Sequence, residues 1–410
     1  MMKPALLSYA EALERIREYV SPLTPQRLDW RDSLGTTLAE DLYAREAIPG
    51  FDNSAMDGYA VRSEDVAAAT PDFPVPLAMV GEIFAARENG AMEILSGCAA
   101  KITTGAPVPA GADTVVMVEK TKSEGERVLV LHPVKAGENI RRTGDEIRAG
   151  DLLLSEGAWI GGVERSMAAQ QGILNFLVRK PPRVALLTTG DELVEPEELP
   201  SRGQVRNVNV YTLEAALKKM GCPVIHLGIG RDDPLRIRSL VENGLNQAEV
   251  LLTTGGVSAG EKDYLPSVLN EMGMKTIFHK VDIKPGKPLL FGLLDGCCVF
   301  GLPGNVASSL VTYHLFVKPA LRRLAGRKEW RNPSWYVRWG EPMKNTSDRT
   351  HFIRCRLTHL PTGLPIAFPT GKQGSGMLSS LAGADGFAVV PSDIDAVEEF
   401  TVLEFIPIEE

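Results

Sequence analysis

Two hydrophobic patterns alternate through the middle of the chain. Between residues 183 and 325, continuous apolar runs such as RVALLTT and AEVLLTT are followed by segments whose apolar residues recur every three or four positions. Continuous apolar runs are typical of strands buried on both faces, and the 3.6-residue period is typical of helices. The alternation predicts a parallel, doubly wound sheet with helices on both faces. The predicted strands are 183–189, 223–229, 248–254, 275–283 and the run ending in CCVFGLPGN, and the predicted helices are 208–220, 233–245, 263–273 and one that starts near Val306.

The pattern changes on either side of this segment. Residues 45–150 are rich in Gly and Pro and contain short strand-like runs such as DTVVMVE and RVLVLH. From residue 334 onward, short strand-like runs return: SWYVRWG, THFIRCRL, PIAFPT, GFAVVP and FTVLEFIP. Short runs with turn residues between them predict two small β-rich domains flanking the α/β segment.

The N-terminal segment carries a helix-start signal. Ser8 followed by Glu11 is a capping-box pattern, and Leu13, Ile16 and Val20 then share one helix face. The pattern predicts a helix that ends before Pro22. A second helix is predicted around 161–172, and RKPPR at 179–183 is interpreted as a linker.

Composition limits the classes of function. The chain has 410 residues, 44% of them hydrophobic, and a formal net charge of −8. This is typical of a globular protein of two to four domains and argues against a general nucleic-acid-binding protein. No apolar run approaches the roughly 18 residues needed to cross a bilayer. The first residues lack a signal-peptide pattern, so we expect a cytoplasmic protein with no membrane association.

Cysteine and histidine usage predicts no metal or disulfide framework. None of the five Cys forms a C-x-x-C motif, and the six His show no H-x-x-x-H or His-Cys spacing. We expect reduced, mostly buried thiols. No G-x-S-x-G motif occurs, so a serine nucleophile is not indicated either.

The pentapeptide LLTTG occurs twice, at 186–190 and at 251–255. Ligands of open α/β sheets bind beyond the carboxyl ends of the strands, and both copies end a predicted strand. Gly190 and Gly255 would let the backbone turn sharply beside a ligand. GLPGN at 301–305 ends a later strand in the same way. We therefore interpret the two copies as two walls of one site for a phosphate or a pterin, with purely structural turns as the alternative.

The residues after each turn supply the chemistry. Asp191 and Glu192 follow the first copy, and GVSAGEKD, ending at Asp263, follows the second. Lys284 and Lys287 then flank Pro285-Gly286, and two ammonium groups on a rigid turn suit an anion. A solvated hairpin turn is the alternative for this lysine turn.

Six motifs, in order, resemble those of one family. They are PGFDNSAMDGYAVR (49–62), TTGAPVPAGADTVVMVE (103–119), TTGDEL (188–193), GGVSAGEKDY (255–264), KPGKP (284–288) and GLPGN (301–305). The chain is similar to the molybdopterin molybdenumtransferases of the MoeA type, a family that also includes the C-terminal domain of gephyrin. The resemblance covers nearly the whole chain.

The resemblance implies a multidomain α/β plus β fold. Its central part would be a three-layer α/β/α domain like the molybdopterin adenylyltransferases MoaB and MogA, accompanied by an inserted β-rich domain and a C-terminal β-barrel. The implied domains are 1–45 with 148–180 (N-terminal helix and elongated linking and dimerisation region), 46–147 (inserted domain), 181–327 (pterin-binding domain) and 328–410 (barrel).

The resemblance also implies a reaction. Adenylylated molybdopterin is hydrolysed, AMP leaves, and molybdate is inserted into the dithiolene with the help of Mg²⁺. The protein would be a homodimer with its cleft between the pterin-binding domain of one subunit and the inserted domain of the other. Transient contacts with the adenylyltransferase and with apo-molybdoenzymes would follow.

Matching positions carry the family's site residues onto this sequence. The implied catalytic residues are Asp57, Thr104, Glu192, Asp232 and Asp263, of which Glu192, Asp232 and Asp263 would hold the metal. The implied substrate-binding residues are Arg141, Glu146, Gly190, Gly255, Gly256, Ser258, Lys280, Lys284, Lys287, Pro303, Gly304, Arg354 and Ser375. Among these, Lys284, Lys287, Arg354 and Ser375 would bind the molybdate oxyanion.

Several of these residues have purely structural alternatives. Asp232 would instead cap the helix starting near Pro234, Glu192 would complement a helix dipole, Asp57 would be a turn residue, and Arg354 would be an exposed strand residue. The sequence also departs from the family at two places. The family usually reads G-x-D-I where this chain has Gly144-Asp145-Glu146-Ile147, and it usually has a Pro after GLPGN where this chain has Val306.

Two other functions compete with molybdate insertion. An adenylyltransferase would make the adenylylated pterin, but it would need only the α/β domain. A pterin-binding carrier or scaffold would keep the fold without turnover, but it would have no need for three carboxylates beside the lysine turn.

Overall fold

The computed structural model describes residues 6–85, 92–257 and 263–408. It contains two compact units. The first comprises Met1–Glu40, Glu156–Arg165 and Asn175–Glu410, and the second comprises Asp41–Ser155 and Ser166–Leu174. Within the described residues, no helix combines the length and the hydropathy that crossing a membrane requires.

A six-stranded sheet forms the centre of the first unit. Four neighbouring strands are parallel, as the sequence pattern predicts. Leu290–Leu294 runs antiparallel to them, and the edge strand Lys275–His279 pairs antiparallel with it and so runs in the direction of the four. In spatial order the strands are Val224–Gly230, Val184–Thr189, Val250–Thr254, Cys297–Leu302, Leu290–Leu294 and Lys275–His279.

The prediction of an all-parallel sheet is therefore wrong at this edge. Leu290–Leu294 was not predicted as a strand, and a two-residue turn joins it to Cys297–Leu302. The turn residues Asp295 and Gly296 have φ of 50° and 80°. Asp-Gly with both φ positive is the preferred tight hairpin turn, and such a turn forces the strands it joins to be antiparallel.

Helices cover both faces of this sheet. One apolar core packs the helices Tyr9–Tyr19, Asn209–Lys219, Val306–Thr312 and Lys318–Leu324 against one face, and a second packs Pro234–Leu245 and Leu265–Glu271 against the other. The predicted three-layer α/β/α arrangement is thus confirmed. The helices in chain order are α1 (Tyr9–Tyr19), α2 (Gly162–Gln170), α3 (Asn209–Lys219), α4 (Pro234–Leu245), α5 (Leu265–Glu271), α6 (Val306–Thr312) and α7 (Lys318–Leu324), with a π-helical turn, Tyr313–Val317, between the last two.

The start of α1 follows its sequence signal. The Glu11 amide donates to Ser8 Oγ at 3.3 Å, and the Ser8 amide donates to Glu11 Oε2 at 2.8 Å. The predicted capping box is confirmed, and the helix ends before Pro22 as expected.

A five-stranded barrel closes the chain. The long strand Thr350–Thr358 pairs with Ile366–Pro369 and also with Gly386–Val390, which joins the two ends of the sheet. The remaining barrel strands are Trp335–Trp339 and Val402–Pro407. The predicted C-terminal β-barrel is confirmed. The short strand Ile283–Lys284 of the lysine turn adds to Thr350–Thr358 in parallel.

Smaller sheets complete the two units. The first unit also contains a three-stranded sheet of Gln26–Asp29, Asn175–Arg179 and Thr37–Leu38. The second unit is β-rich, as predicted, and its main sheet has the spatial order Thr114–Met117, Gly58–Val61, Cys98–Ile102, Val75–Ile83, Arg127–Val130 and Thr121–Glu124. Asn53–Ser54 pairs with Ile140–Arg141, and Leu42–Tyr43 pairs with Leu152–Leu154.

The barrel strand Thr350–Thr358 buries a histidine. His351 is 6% exposed, and neither ring nitrogen has a hydrogen-bond partner among the described residues. Burial, together with the nearby charges of Lys284, Arg354 and Arg349, lowers the pKa of His351 to about 4. The folded state therefore holds this imidazole in its neutral form.

His351 should make the stability of the protein depend on acid pH. The imidazole of His351 titrates near pH 6.5 in the unfolded chain and near pH 4 in the folded protein. Its contribution to the free energy of unfolding is therefore complete above pH 6.5 and is lost as the pH falls to about 4. We expect the free energy of unfolding to fall by on the order of 3 kcal/mol more in the wild type than in His351→Leu. Chemical denaturation at several pH values measures this difference, with the exposed His359→Gln as a control. Equal losses in the wild type and His351→Leu would contradict the assignment.

Candidate active site

A cleft of about 710 Å³ lies at the carboxyl ends of the parallel strands. It is the place where an open α/β sheet binds its ligands. Residues from both LLTTG copies, from GLPGN and from the barrel domain line it. The lining residues are Thr189, Gly190, Glu192, Leu193, Val205, Arg206, Asn207, Val208, Asn209, Asp232, Thr254, Gly255, Gly256, Val257, Asp263, Pro288, Pro303, Gly304, Asn305, Val306 and Gly376.

The two LLTTG copies lie side by side in the sheet. Leu186 pairs with Leu252, and Thr188 pairs with Thr254. In the first copy Leu186 faces one apolar core and Leu187 faces the other, which explains the continuous apolar run. Thr189 Oγ1 donates to the Thr254 carbonyl at 3.4 Å. The threonine hydroxyl of the first copy thus joins the two strand ends, which both line the cleft.

Gly255 allows these strand ends to approach closely. Its φ is +85°, and a Cβ at this position would lie 2.5 Å from the Thr189 carbonyl oxygen. Only glycine combines this backbone conformation with this contact. The close approach brings Gly190, Gly255 and Gly256 into one wall, as the sequence interpretation proposed.

The first LLTTG loop positions Glu192 over its own backbone. The Glu192 carboxylate lies against Gly190, where a Cβ would come within 2.5 Å of Oε2. Arg231 braces the loop, because its Nη1 donates to the carbonyls of Asp191 and Leu193. Glu192 therefore belongs to a turn that Arg231 holds in place and that lines the cleft.

The neighbouring residues Asp232 and Asp233 differ in position: one lines the cleft and the other caps α4. Asp233, not Asp232, caps α4, and its Oδ1 accepts from the Leu235 amide at 3.0 Å. The alternative that Asp232 is the helix cap is therefore wrong. The Asp232 amide donates to Asp191 Oδ1 at 3.1 Å, and Asp232 lines the cleft together with Glu192 and Asp263.

The chemistry of these donors fits Mg²⁺ bound together with a substrate. In the described ranges, no three acidic, His or Cys side chains are grouped closely enough to form a metal site by themselves. Mg²⁺ usually keeps several waters and binds through one or two carboxylates plus substrate phosphates. Carboxylates spread over one cleft suit that mode. Glu192, Asp232 and Asp263 are the residues that would hold it.

Two asparagines that the sequence analysis missed organise the cleft. Asn207 Nδ2 donates to Thr188 Oγ1 at 3.0 Å, and Asn209 Nδ2 donates to the Gly304 carbonyl at 2.8 Å. The second bond ties the start of α3 to the GLPGN loop, where Pro303 and Gly304 line the cleft as predicted. The only indication of these residues in the sequence was the pair of asparagines in RNVN (206–209) at a predicted helix start.

The lysine turn lies beside the barrel rather than among the lining residues. Lys284 and Lys280 are half-buried and Lys287 is exposed, while the following Pro288 lines the cleft. Ile283–Lys284 pairs with the barrel strand, and Arg349 Nη1 donates to the Ile283 carbonyl at 2.9 Å. Barrel and lysine turn are thereby held together.

Arg354 is buried and supports a loop. It is fully buried, so the alternative of an exposed strand residue is wrong. Its Nε donates to Ser380 Oγ and its Nη2 donates to the Gly374 carbonyl, both at 3.0 Å, while Nη1 has no partner in the described part of the chain. Burial lowers the pKa of Arg354 to about 10.

Ser375 joins this loop to the start of α6. Its Oγ accepts from Asn305 Nδ2 at 3.2 Å, and its carbonyl accepts from the Ser308 amide at 3.2 Å. The next residue, Gly376, lines the cleft. The barrel domain thus contributes one edge of the cleft.

Four predicted site residues belong to the second unit. Asp57 Oδ1 accepts from the Thr104 amide at 2.7 Å and from its hydroxyl at 3.0 Å, and these bonds lower the pKa of Asp57. Arg141 and Glu146 are exposed. Asp145 is engaged in a turn, because its Oδ2 accepts from the Arg142 amide at 2.6 Å. The predicted Ser258 lies outside the described residues.

The first unit has a larger cleft of about 1000 Å³ with a different character. Its walls include Leu310, Tyr313 and Leu381, with Lys219 and Arg322 among its polar residues. Among the described residues that line it, there is no predicted site residue and no carboxylate. The strand-end cleft is therefore the candidate active site.

Three family models together match most of the chain. The MoeA N-terminal region (domain I and II) matches residues 7–172, a probable molybdopterin binding domain matches residues 185–323, and the MoeA C-terminal region (domain IV) matches residues 336–408.

Curated relatives and a solved structure agree with these models. The molybdopterin molybdenumtransferase of Synechococcus elongatus is 37% identical over 406 residues, which cover 97% of this chain and 99% of the relative. The molybdopterin molybdenumtransferase of Haemophilus influenzae is 33% identical, and the match covers 98% of this chain and 99% of the relative. The molybdopterin biosynthesis MoeA protein of Pyrococcus horikoshii has a TM-score of 0.83 at 28% identity, with 98% of this chain and 100% of that chain covered. Full-length identity at this level shows that the chain belongs to the molybdopterin molybdenumtransferase (MoeA) family.

Proposed function

We propose that the protein inserts molybdate into adenylylated molybdopterin and releases AMP in a Mg²⁺-dependent reaction of molybdenum cofactor biosynthesis. The observation that carries the proposal is a single cleft lined by both LLTTG turns, the GLPGN turn and the carboxylates Glu192, Asp232 and Asp263. The names of the relatives, molybdopterin molybdenumtransferase, support the same reaction.

The glycine turns would hold the pterin. Gly190, Gly255, Gly256, Pro303 and Gly304 expose backbone groups along the cleft wall, as a flat heterocycle with edge donors and acceptors requires. Ser258 is proposed to join them.

The carboxylates would act at the pyrophosphate. When bound, Mg²⁺ neutralises charge on the phosphate oxygens as the bond breaks. Glu192, Asp232 and Asp263 would hold the ion. Water adds to the AMP phosphorus and its proton passes to solvent, while the P–O bond to the molybdopterin phosphate breaks and that phosphate leaves with the electron pair.

The basic residues beside the barrel would bind molybdate as a substrate. Lys284, Lys287, Arg354 and Ser375 supply cations and a hydroxyl at the barrel side, which suits a doubly charged oxyanion. As the two dithiolene sulfurs bind molybdenum, their protons leave with one displaced oxide as water.

The remaining predicted residues are proposed to act in a homodimer. All the described residues that line the cleft belong to the first unit, whereas Asp57, Thr104, Arg141 and Glu146 belong to the second unit. We propose that the second unit of a partner subunit supplies them, with Lys280 as a further phosphate-binding cation. Transient contacts with an adenylyltransferase and apo-molybdoenzymes, and a cytoplasmic location, belong to the same proposal.

A turnover assay tests this function. Purified protein, whose dimeric mass is checked by light scattering, is mixed with adenylylated molybdopterin, Mg²⁺ and molybdate, and AMP and pterin-bound molybdenum are followed together. We expect AMP release that depends on both molybdate and Mg²⁺, since the carboxylate cleft supplies the metal ligands.

Two results would overturn the proposal. Tight pterin binding without AMP release would indicate a carrier or scaffold. Formation of adenylylated molybdopterin from ATP and molybdopterin, without molybdate insertion, would indicate an adenylyltransferase.

A further inference from the structure

Two side chains join the loop that carries Glu192 to the loop that carries Asp232. Arg231 Nη1 donates to the Asp191 carbonyl at 3.0 Å and to the Leu193 carbonyl at 2.9 Å, and these carbonyls lie on either side of Glu192 in the chain. In return, Asp191 Oδ1 accepts from the Asp232 amide at 3.1 Å. Each loop thus contributes one side chain that holds the backbone of the other. We call Arg231 and Asp191, with these hydrogen bonds, the loop clamp.

Both ends of the second loop are fixed independently of the loop clamp. Where this loop leaves the sheet, the Gly190 amide donates to the Gly230 carbonyl at 3.1 Å. Where it enters α4, the Asp233 side chain caps the helix, and the Asp233 amide donates to the Arg231 carbonyl at 2.6 Å. Asp232 therefore lies between two anchored residues, and the loop clamp fixes its position relative to the first loop.

The guanidinium of Arg231 bonds to main-chain oxygens, although Asp191, Glu192 and Asp232 are its neighbours in the two loops. In the part of the chain that the structure describes, no carboxylate pairs with this guanidinium. The carboxylates of Glu192 and Asp232, which both line the cleft, are therefore not neutralised by it. A nearby positive charge by itself opposes the binding of a metal ion. The hydrogen bonds that Arg231 makes thus indicate a positional role.

We infer that Arg231 and Asp191 are positioning residues for a divalent cation, because they hold Glu192 and Asp232 where both can bind one ion. Groups that orient metal ligands contribute to metal affinity without touching the metal. Arginine suits this task, since its planar guanidinium keeps several donors in a fixed arrangement. The inference rests on the proposed function, which assigns a divalent cation to this cleft.

A titration with Mn²⁺ tests the loop clamp without any turnover. Mn²⁺ prefers the same oxygen ligands as Mg²⁺, and the EPR signal of the free ion gives its concentration. The wild type and each variant are titrated in the presence of AMP, whose phosphate can complete the coordination, and each melting temperature is recorded. Asp232→Asn and Glu192→Gln show which part of the Mn²⁺ binding belongs to the cleft carboxylates.

The direction of the Arg231→Met effect separates positioning from charge. Loss of a positive charge alone would tighten Mn²⁺ binding, whereas loss of the loop clamp should weaken it by about tenfold. Arg231→Lys keeps the charge and can still donate, so we expect an affinity between those of Arg231→Met and the wild type. Arg236→Met is the matched control, because Arg236 is exposed on α4 and is not among the residues that line the cleft. It should leave Mn²⁺ binding unchanged.

Variants of Asp191 distinguish a positioning residue from a further metal ligand. Asp191→Asn keeps an oxygen that accepts from the Asp232 amide, so Mn²⁺ affinity should stay within about threefold of the wild type. Asp191→Ala removes this acceptor and should weaken Mn²⁺ binding by about tenfold. If Asp191→Asn weakens binding as much as Asp232→Asn does, Asp191 is a metal ligand and its positioning role is refuted.

Three results would overturn the inference as a whole. They are Mn²⁺ binding by Arg231→Met that is as tight as in the wild type or tighter, Mn²⁺ binding that Asp232→Asn leaves unchanged, and a wild type that binds no Mn²⁺. These outcomes are separable from failure of the proposed function. A wild type that releases no AMP, but whose Mn²⁺ binding depends on Arg231 and Asp232, would refute the reaction and leave the positioning role standing.

Discussion

Asp232→Asn is expected to lower the rate of molybdate-dependent AMP release by at least about 100-fold without unfolding the protein. The amide keeps the shape of the side chain and removes its negative charge, and a neutral amide is a poorer ligand for Mg²⁺ than a carboxylate. Asp232 lines the cleft with Glu192 and Asp263, while the capping of α4 is left to Asp233. The effect should therefore fall on catalysis rather than on the helix.

Asp233→Asn is the matched control for this variant. It makes the same chemical change one residue away, and asparagine is as good an N-cap as aspartate. The Leu235 amide therefore keeps its acceptor, and we expect activity and melting temperature near those of the wild type.

A Mg²⁺ titration of both variants adds a second readout. Asp232→Asn should need a higher Mg²⁺ concentration for half-maximal rate, whereas Asp233→Asn should not. Equal activity of the two variants would remove Asp232 from the proposed metal site, whatever the outcome for Glu192 and Asp263.

Gly255→Ala is expected to destabilise the protein by about 2 to 5 kcal/mol and to abolish turnover. Alanine is strained at a φ of +85°, and its Cβ would meet the Thr189 carbonyl oxygen at 2.5 Å. A backbone atom cannot move aside as a side chain can, so the two strand ends must separate. Since both ends line the cleft, the site should be lost together with the stability.

Gly273→Ala separates the cost of the left-handed backbone conformation from the cost of the steric contact. Gly273 has a similar φ of +89°, but nothing lies within 4 Å of an added Cβ. Gly273→Ala should therefore be destabilised only by the strain of the left-handed conformation, about 1 to 2 kcal/mol. Denaturant unfolding of both variants gives the comparison. If Gly255→Ala is no less stable than Gly273→Ala, the close approach of the strand ends is not required for the fold.

The sequence was sufficient to predict the family, an enzyme of the molybdopterin molybdenumtransferase class, and the fold class, and the comparisons confirm these predictions. Leu186 and Leu187 illustrate why: a strand between two helical layers must be apolar on both faces, and that requirement is visible in the sequence itself. Signals that involve only neighbouring residues were also sufficient, since the capping box predicted from Ser8 and Glu11 is present in the structure. The roles proposed for the site residues, the metal and the dimer stay predictions.

The tertiary structure decided features that depend on neighbours distant in sequence. The sequence showed two acids before Pro234, but only the backbone path assigned the cap to Asp233 and left Asp232 at the cleft. For Arg354, the sequence left an exposed strand position open as the alternative to the oxyanion-binding role that the resemblance implies, and only the structure showed that the 374–380 loop covers the side chain. Asn209 was marked in the sequence only by its position in RNVN at a predicted helix start, because its hydrogen-bond partner, the Gly304 carbonyl, lies on another strand-end loop.

The physical reason for this division is the range of the interactions. Hydrophobic periodicity and helix capping depend on residues a few positions apart, so the sequence alone was sufficient for most strands and helices of the α/β domain and for the order of the motifs. Burial, hydrogen-bond pairing and strand direction depend on segments that meet only after folding. Only the folded chain could therefore determine that Leu290–Leu294 runs antiparallel and that Gly255 packs against the Thr189 carbonyl where the two LLTTG strand ends meet.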